Sequence, residues 1–201
     1  MTISVPHEDG KGDYSAEVGT LASAGGEILI VAGYLDQGGK GIIESSLDTG
    51  AFETFFLPDG MIGDALPEAI GSGLDGSLGT VPGTDSPGAE AFSSMAEAAG
   101  FAAGPFASES YDAAALIMLS MAKAGSSNSA DFKGVMMDVA NAPGTEIFPG
   151  ELAKGLELIA AGEEVDYVGA SAVELVGAGE SAGNYREILV DGGANTTVKF
   201  R

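Results

Sequence analysis

Apolar positions in this chain come first as short uninterrupted runs and later at helical spacing. Residues 27–32, EILIVA, form a run too short for an independent helix and rich in Ile, Leu and Val, which predicts a buried strand. Gly33-Tyr34 ends it. Residues 38–49 place Ile42, Ile43, Ser46 and Leu47 on one helical face, with Gly50 as the stop signal. Residues 52–57 predict the next strand, cut off by Pro58-Asp59-Gly60. In a parallel sheet built from such strand-helix-strand units, ligands are met at the carboxyl ends of the strands. Tyr34 and Asp59 both fall there.

The same rhythm extends outward from this stretch. Residues 2–5 read as a strand, followed by a turn and a helix from an Asp13 cap through Tyr14, Val18 and Leu21 to Gly25-Gly26. Beyond Asp59 the pattern predicts a helix over 64–70, a breaker at 71–73 and a strand over 76–81. The alternation then gives way to helices. Residues 87–99 carry Phe92, Met95 and Ala96 at helical spacing. Residues 108–124 form the clearest helix, with Tyr111, Ala114, Ala115, Met118, Leu119 and Ala122 on one apolar face, a core stripe. Further on, Asp131 is a cap for a helix holding Phe132, Val135 and Met136, and 151–161 is another helix. Residues 165–176 read as two short extended pieces or a hairpin. Residues 185–190 form a strand that 191–193 turn into 196–200. The compositional shift near 82–87 marks a boundary between two lobes.

The chain has 201 residues, 45% of them hydrophobic, so it can bury a core. Its 30 acidic and 8 basic residues give a formal charge of -22. The acids are dispersed, which describes a solvated acidic surface. That sign repels phosphate backbones, so nucleic acid is not an expected partner. There is no cysteine, which removes disulfide and thiolate chemistry. The single histidine, His7, lies in the polar stretch PHEDGKGD and is expected in a solvent-exposed loop; zinc lacks its usual ligands here. Glu8, Asp9 and Asp13 lack the spacing of a calcium loop. No metal or cofactor is implied. The opening residues lack the charged and apolar regions of a signal peptide, and the longest apolar run, 113–119, is too short to span a bilayer.

Three spellings suggest chemistry. GESAG at 179–183 fits a nucleophile elbow around Ser181, but the order Ser, acid, His cannot be completed when the only histidine is upstream. Gly71, Gly73 and Gly76 satisfy a dinucleotide spelling, yet a helix precedes and a strand follows, the reverse of the required context. Gly38-Gly39-Lys40-Gly41 suggests a phosphate loop, with Tyr34 at the first Gly position and Gly41 at the Ser/Thr position. An enzyme is therefore not expected.

The stretch KGDYSAEVGTLASAGGEILIVAGYLDQGGKGIIESSLDTGAFETFFLPDG resembles the second lobe of the branched-chain amino-acid-type substrate-binding proteins that serve ABC importers. AFSSMAEAAG, SESYDAAALIMLSMAKAG and YREILVDGG resemble that family's continuation, in the same order. The resemblance implies a periplasmic-binding-protein-like (type I) α/β fold, two-lobed and three-layered α/β/α, that is truncated at its N-terminus. It assigns 1–82 and 184–201 to an incomplete lobe 2 and 83–183 to the C-terminal part of lobe 1. It puts Tyr34 at the family's ligand-facing aromatic and Asp59 at the acid that accepts an α-ammonium group, where a close relative often carries Glu. The implied function is the binding of a small-molecule solute, an amino acid or a related compound, with half of the site in this chain. The implied partner is the membrane permease of an ABC transporter, and the implied location is the periplasm. A ligand-sensing receptor domain of the same fold is the alternative, and a serine esterase a lesser one. Truncation would leave Ile3, Ile28, Ile30 and Phe56 without cover, so self-association or a loosened core is expected.

Overall fold

The structure, a computed structural model, describes residues 1–177 and 179–201. In chain order it contains α1 (Ser15–Ala24), β1 (Leu29–Ile30), α2 (Gly39–Thr49), β2 (Phe55–Leu57), α3 (Ala65–Ile70), β3 (Leu78–Pro82), α4 (Pro87–Ala98) and α5 (Ala107–Ala124). These are followed by α6 (Ser129–Phe132), α7 (Met136–Ala140), β4 (Thr145–Ile147), α8 (Leu152–Ala160), β5 (Val165–Tyr167), β6 (Leu175–Gly177), β7 (Glu180–Ser181), β8 (Tyr185–Asp191) and β9 (Ala194–Phe200). The chain divides into two compact units, Met1–Val81 with Arg186–Arg201, and Pro82–Tyr185.

The first unit is built on a sheet of order β1-β2-β3-β8-β9. Strands β1, β2 and β3 run parallel, while β8 and β9 form an antiparallel hairpin. One face of the sheet carries the core: Leu29, Val31, Phe55, Leu57 and Val190 meet Tyr14 and Val18 of the α1 region, Ile42 and Ile43 of α2, and Leu66 of α3. Burying those side chains is what holds short strands and helices together, at roughly 1.5–3 kcal/mol for each large aliphatic removed from water. Helix α2 forms as its pattern predicts, closed by Gly50 at a φ of 65°.

Two expectations for this unit need correction. Residues 2–5 alternate like a strand but form no ladder, and Ile3 is exposed. The run at 27–32 is a strand over Leu29–Ile30 alone and is buried on one side only, since Ile28 and Ile30 are more than half exposed. A continuous apolar run announces cover on both faces, and here one face is bare.

In the second unit, α5 packs against α7 and α8, and β4 pairs in parallel with β5. The core joins Ala115, Leu116 and Leu119 of α5 to Val139, Ile147, Val165 and Tyr167. The buried stripe of α5 runs through Asp112, Ala115, Leu116, Leu119 and Ser120, rotated from the apolar face expected for it. Met118 is 48% exposed, whereas Asp112 is buried. The reason is that Asp112 is recruited by a distant loop. The Asp131-capped helix is two short ones, with Asn128 as the cap of the first through its bond from the Ala130 N–H. Residues 165–176 are two extended pieces with different partners, β5 on β4 and β6 on β7.

Candidate functional site

Tyr34 and Asp59 are carried by the loops that leave the carboxyl ends of neighbouring parallel strands, β1 and β2. The Tyr34 carbonyl accepts the Gln37 and Gly39 N–H groups at 3.1 and 3.0 Å, which folds Leu35–Gln37 into a 3-10 turn and delivers the chain into α2. Gly38 takes a φ of 116°, and a Cβ there would run into the Tyr14 hydroxyl, so glycine is required at this approach. On the second loop, Pro58 stays extended and Asp59 opens a 3-10 turn over Asp59–Met61. The Asp59 carboxylate accepts the Gly60 N–H at 2.9 Å, so Asp59 is both a turn former and an outward-facing acid.

Gly60 brings the two loops together. A Cβ built on it would lie 2.6 Å from the Gly33 carbonyl oxygen and 3.1 Å from Cδ1 of the Tyr34 ring. The bare backbone after Asp59 therefore lies against the Tyr34 ring. Tyr34 is 64% exposed and Asp59 is exposed as well. An exposed aromatic ring on one loop and an exposed carboxylate on the next are groups that can, respectively, pack an apolar group and accept hydrogen bonds from a cation.

His7 is not the exposed loop residue expected. Its ring makes an edge contact with Tyr14, with centroids 6.0 Å apart, and it approaches Gly33 and Gly38 from behind the Tyr34 loop. Tyr14 in turn donates its hydroxyl to the Glu8 carbonyl at 3.0 Å, tying the opening residues to the same place. Nearby, the hydrogen bond from Lys11 holds the Glu17 carboxyl below its ordinary range, and the Ser15 hydroxyl does the same for Asp13.

Ser181 lies in β7, which pairs antiparallel with β6. A nucleophile elbow needs a strand-to-helix turn, and among the described residues no helix follows Ser181. That removes the geometric basis of the esterase reading. Gly71–Leu74 is a 3-10 turn after α3, with β3 beyond it, so the dinucleotide spelling keeps its reversed context. Among the described residues no group of three His, Asp or Glu is placed to hold a metal ion.

Two features of the second unit escaped the sequence reading. One is an open depression lined by Phe92, Phe101, Pro105, Phe106 and Tyr111, with the Phe92 and Tyr111 rings 5.3 Å apart. Phe106 stands at its head with a φ of 64°, immediately before α5. The signal available was the Gly, Pro and Phe content of 100–106. The other is Asp112, whose Oδ1 accepts from the Tyr167 hydroxyl and the Ala170 N–H, both at 2.8 Å. Its Oδ2 accepts from the Ser171 N–H at 2.7 Å and the Ser171 hydroxyl at 2.6 Å. Burial, then the neighbouring Asp112 charge, pushes the Tyr167 phenol well above its ordinary range.

The fold has counterparts among solved structures. The leucine-binding protein LivK of Thermotoga maritima matches over 95% of this chain and 49% of its own, with a TM-score of 0.71 at 18% identity. This is the type I periplasmic-binding-protein fold. A branched-chain amino-acid ABC transporter protein from Thermus thermophilus, solved with bound valine, shares that fold over 95% of this chain and 50% of its own, with a TM-score of 0.56 at 15% identity. A solute-binding protein of an ABC transporter from R. palustris, in complex with benzoate, matches over 92% of this chain and 46% of its own, with a TM-score of 0.52 at 20% identity. The chain thus spans about half the length of these type I binding proteins. No protein-family model matches it, and no curated protein does. Among the described residues no helix is long and apolar enough to cross a membrane.

Proposed function

We propose that this chain carries half of the binding cleft of a solute-binding component of an ABC importer, and that the solute is a small amino acid. The observation that supports this reading is the contact between the Tyr34 loop and the Asp59 loop at the carboxyl ends of two adjacent parallel strands. In this reading Asp59 accepts the α-ammonium group and the Tyr34 ring packs on the ligand's aliphatic part. The first unit corresponds to an incomplete lobe 2 and the second to the C-terminal part of lobe 1. The permease of the importer is the partner, and the periplasm or cell exterior is the place of work. No chemical step is involved.

Exposed carboxylate-ammonium pairs gain little, so the chain by itself binds an amino acid in the millimolar range. The test is a nuclear magnetic resonance titration with glycine, leucine, valine and benzoate, following the Gly60 amide and the Tyr34 ring. Leucine and valine should shift both signals, and Asp59→Asn should weaken that response several-fold while leaving benzoate unchanged. Identical responses in the parent and in Asp59→Asn would remove Asp59 from the site.

A further inference from the structure

The loop over residues 168–173 of the second unit is closed, strained and held from two sides. The Val173 N–H donates to the Val168 carbonyl at 3.0 Å, which folds the loop into one compact turn. Inside it, Gly169 has a φ of 63° and Ala172 a φ of 52°. Glycine takes such backbone freely, whereas the Cβ of an alanine crowds the following carbonyl. Among the described residues other than glycine, only Phe106 shares a positive φ with Ala172. A left-handed alanine persists only where its surroundings over-determine it.

Those surroundings are two side chains from distant parts of the sequence. Asp112 of α5 holds one flank, through the bonds that its carboxylate accepts from Tyr167, Ala170 and Ser171. Asn184 holds the other: its Nδ2 donates to the Ser171 carbonyl at 3.1 Å and to the Ala172 carbonyl at 3.3 Å. The two grips meet on Ser171. Asn184 also accepts the Gly83 N–H through its own carbonyl, at 3.0 Å. A line of hydrogen bonds therefore runs from a buried carboxylate, through Ser171 and Asn184, to Gly83. Its ends are unequal. Asp112 is buried and its bonds are charge-assisted and short, whereas those of the Asn184 side chain are neutral, longer and only partly buried, so the line gives way at Asn184 first.

We propose that residues 168–173 form a sprung latch, kept shut by Asp112 and Asn184 together, whose release lets Ala172 relax and the segments at Gly83 and Asn184 part. Asn184 is the positioning residue: its carboxamide, by engaging the loop, fixes where its carbonyl meets Gly83. Ser171 passes the hold of Asp112 on to it. The opening is local, because no bond of Asn184 involves the core of Leu116, Leu119, Ile147 and Val165.

Amide hydrogen exchange of the whole chain, followed by nuclear magnetic resonance, tests this. Asn184→Ala should speed exchange of the Gly83 amide about tenfold and leave the Leu119 amide of α5 unchanged. Ser171→Ala removes the hydroxyl bond to Asp112, and should speed the Gly83 amide about threefold in the parent chain while adding nothing in the Asn184→Ala background. Ala172→Gly suits the left-handed backbone and should slow the Gly83 amide. The proposal is overturned by a Gly83 rate that ignores any one of these three substitutions, or by Asn184 and Ser171 effects that multiply in the double variant. A Leu119 amide that speeds up in step with Gly83 overturns it as well, since the opening would then be that of the whole unit.

Discussion

Asp112 shows how a single residue can organise a unit without advertising itself in the sequence. In 108–124 it sits among alanines and serines where a surface acid is ordinary, and its partners follow 55 or more positions later, at Tyr167, Ala170 and Ser171. No local pattern could announce that pairing. The Tyr34 and Asp59 loops were legible, because each follows an apolar run and contains the Gly or Pro that ends it. Removing Asp112 leaves several buried donors without an acceptor, so Asp112→Ala should cost the second unit about 3 kcal/mol or more, seen as a lower urea midpoint. A pH effect belongs to the same cluster. The folded unit keeps the Tyr167 phenol protonated where the unfolded chain loses its proton, from about pH 10 upward. Stability is therefore intact below that pH and falls as pH rises above it. Tyr167→Phe should flatten this alkaline loss in urea midpoints measured between about pH 8 and 11, while lowering the midpoint at neutral pH through the missing hydrogen bond.

Among the elements, the helices with strong spacing and clear stops, α2, α4, α5 and α8, were legible, and so was the β8-β9 hairpin with its Asp191-Gly192-Gly193 turn. Strand β4 was not. Thr145-Glu146-Ile147 has a single buried side chain, Ile147, and forms because β5 offers it a parallel ladder. Residues 2–5 fail for the converse reason: the alternation is present and the neighbour is absent. Helix α4 makes a different demand, a backbone contact that only glycine allows. A Cβ on Gly88 would overlap the Gly169 carbonyl oxygen, in the same loop that Asp112 grips. Gly88→Ala should thus push α4 off that loop and cost about 1–3 kcal/mol, whereas Gly100→Ala, with open space around it, should cost less and act only through its positive φ. Differential scanning calorimetry of the two variants would separate the effects.

On the scale of the whole molecule, 30 acids against 8 bases keep the chain under constant self-repulsion. Its melting temperature should rise by several degrees as sodium chloride is raised to a few tenths molar and then level off as the Debye length shrinks below the spacing of the surface charges. A melting temperature that does not respond to salt would show that the dispersed acids do not repel strongly enough to matter. The bulk charge was visible in composition, whereas the exposure of Ile28 and Ile30 was expected from the family resemblance and not from the apolar pattern, which reads as a buried strand. The division into two units has a further consequence for the way the chain is threaded. It leaves the first unit after Val81 and re-enters at Arg186, and the Gly83 N–H donates to the Asn184 carbonyl at 3.0 Å, so the exit and the return run side by side. The second unit is thus an excursion with clasped ends, and its length adds little to the entropy of bringing β3 beside β8. A variant in which a short glycine-containing turn joins Pro82 to Tyr185 should keep the β3-β8 pairing, read from the exchange protection of the Val190 amide, and so make the chain path through this sheet continuous.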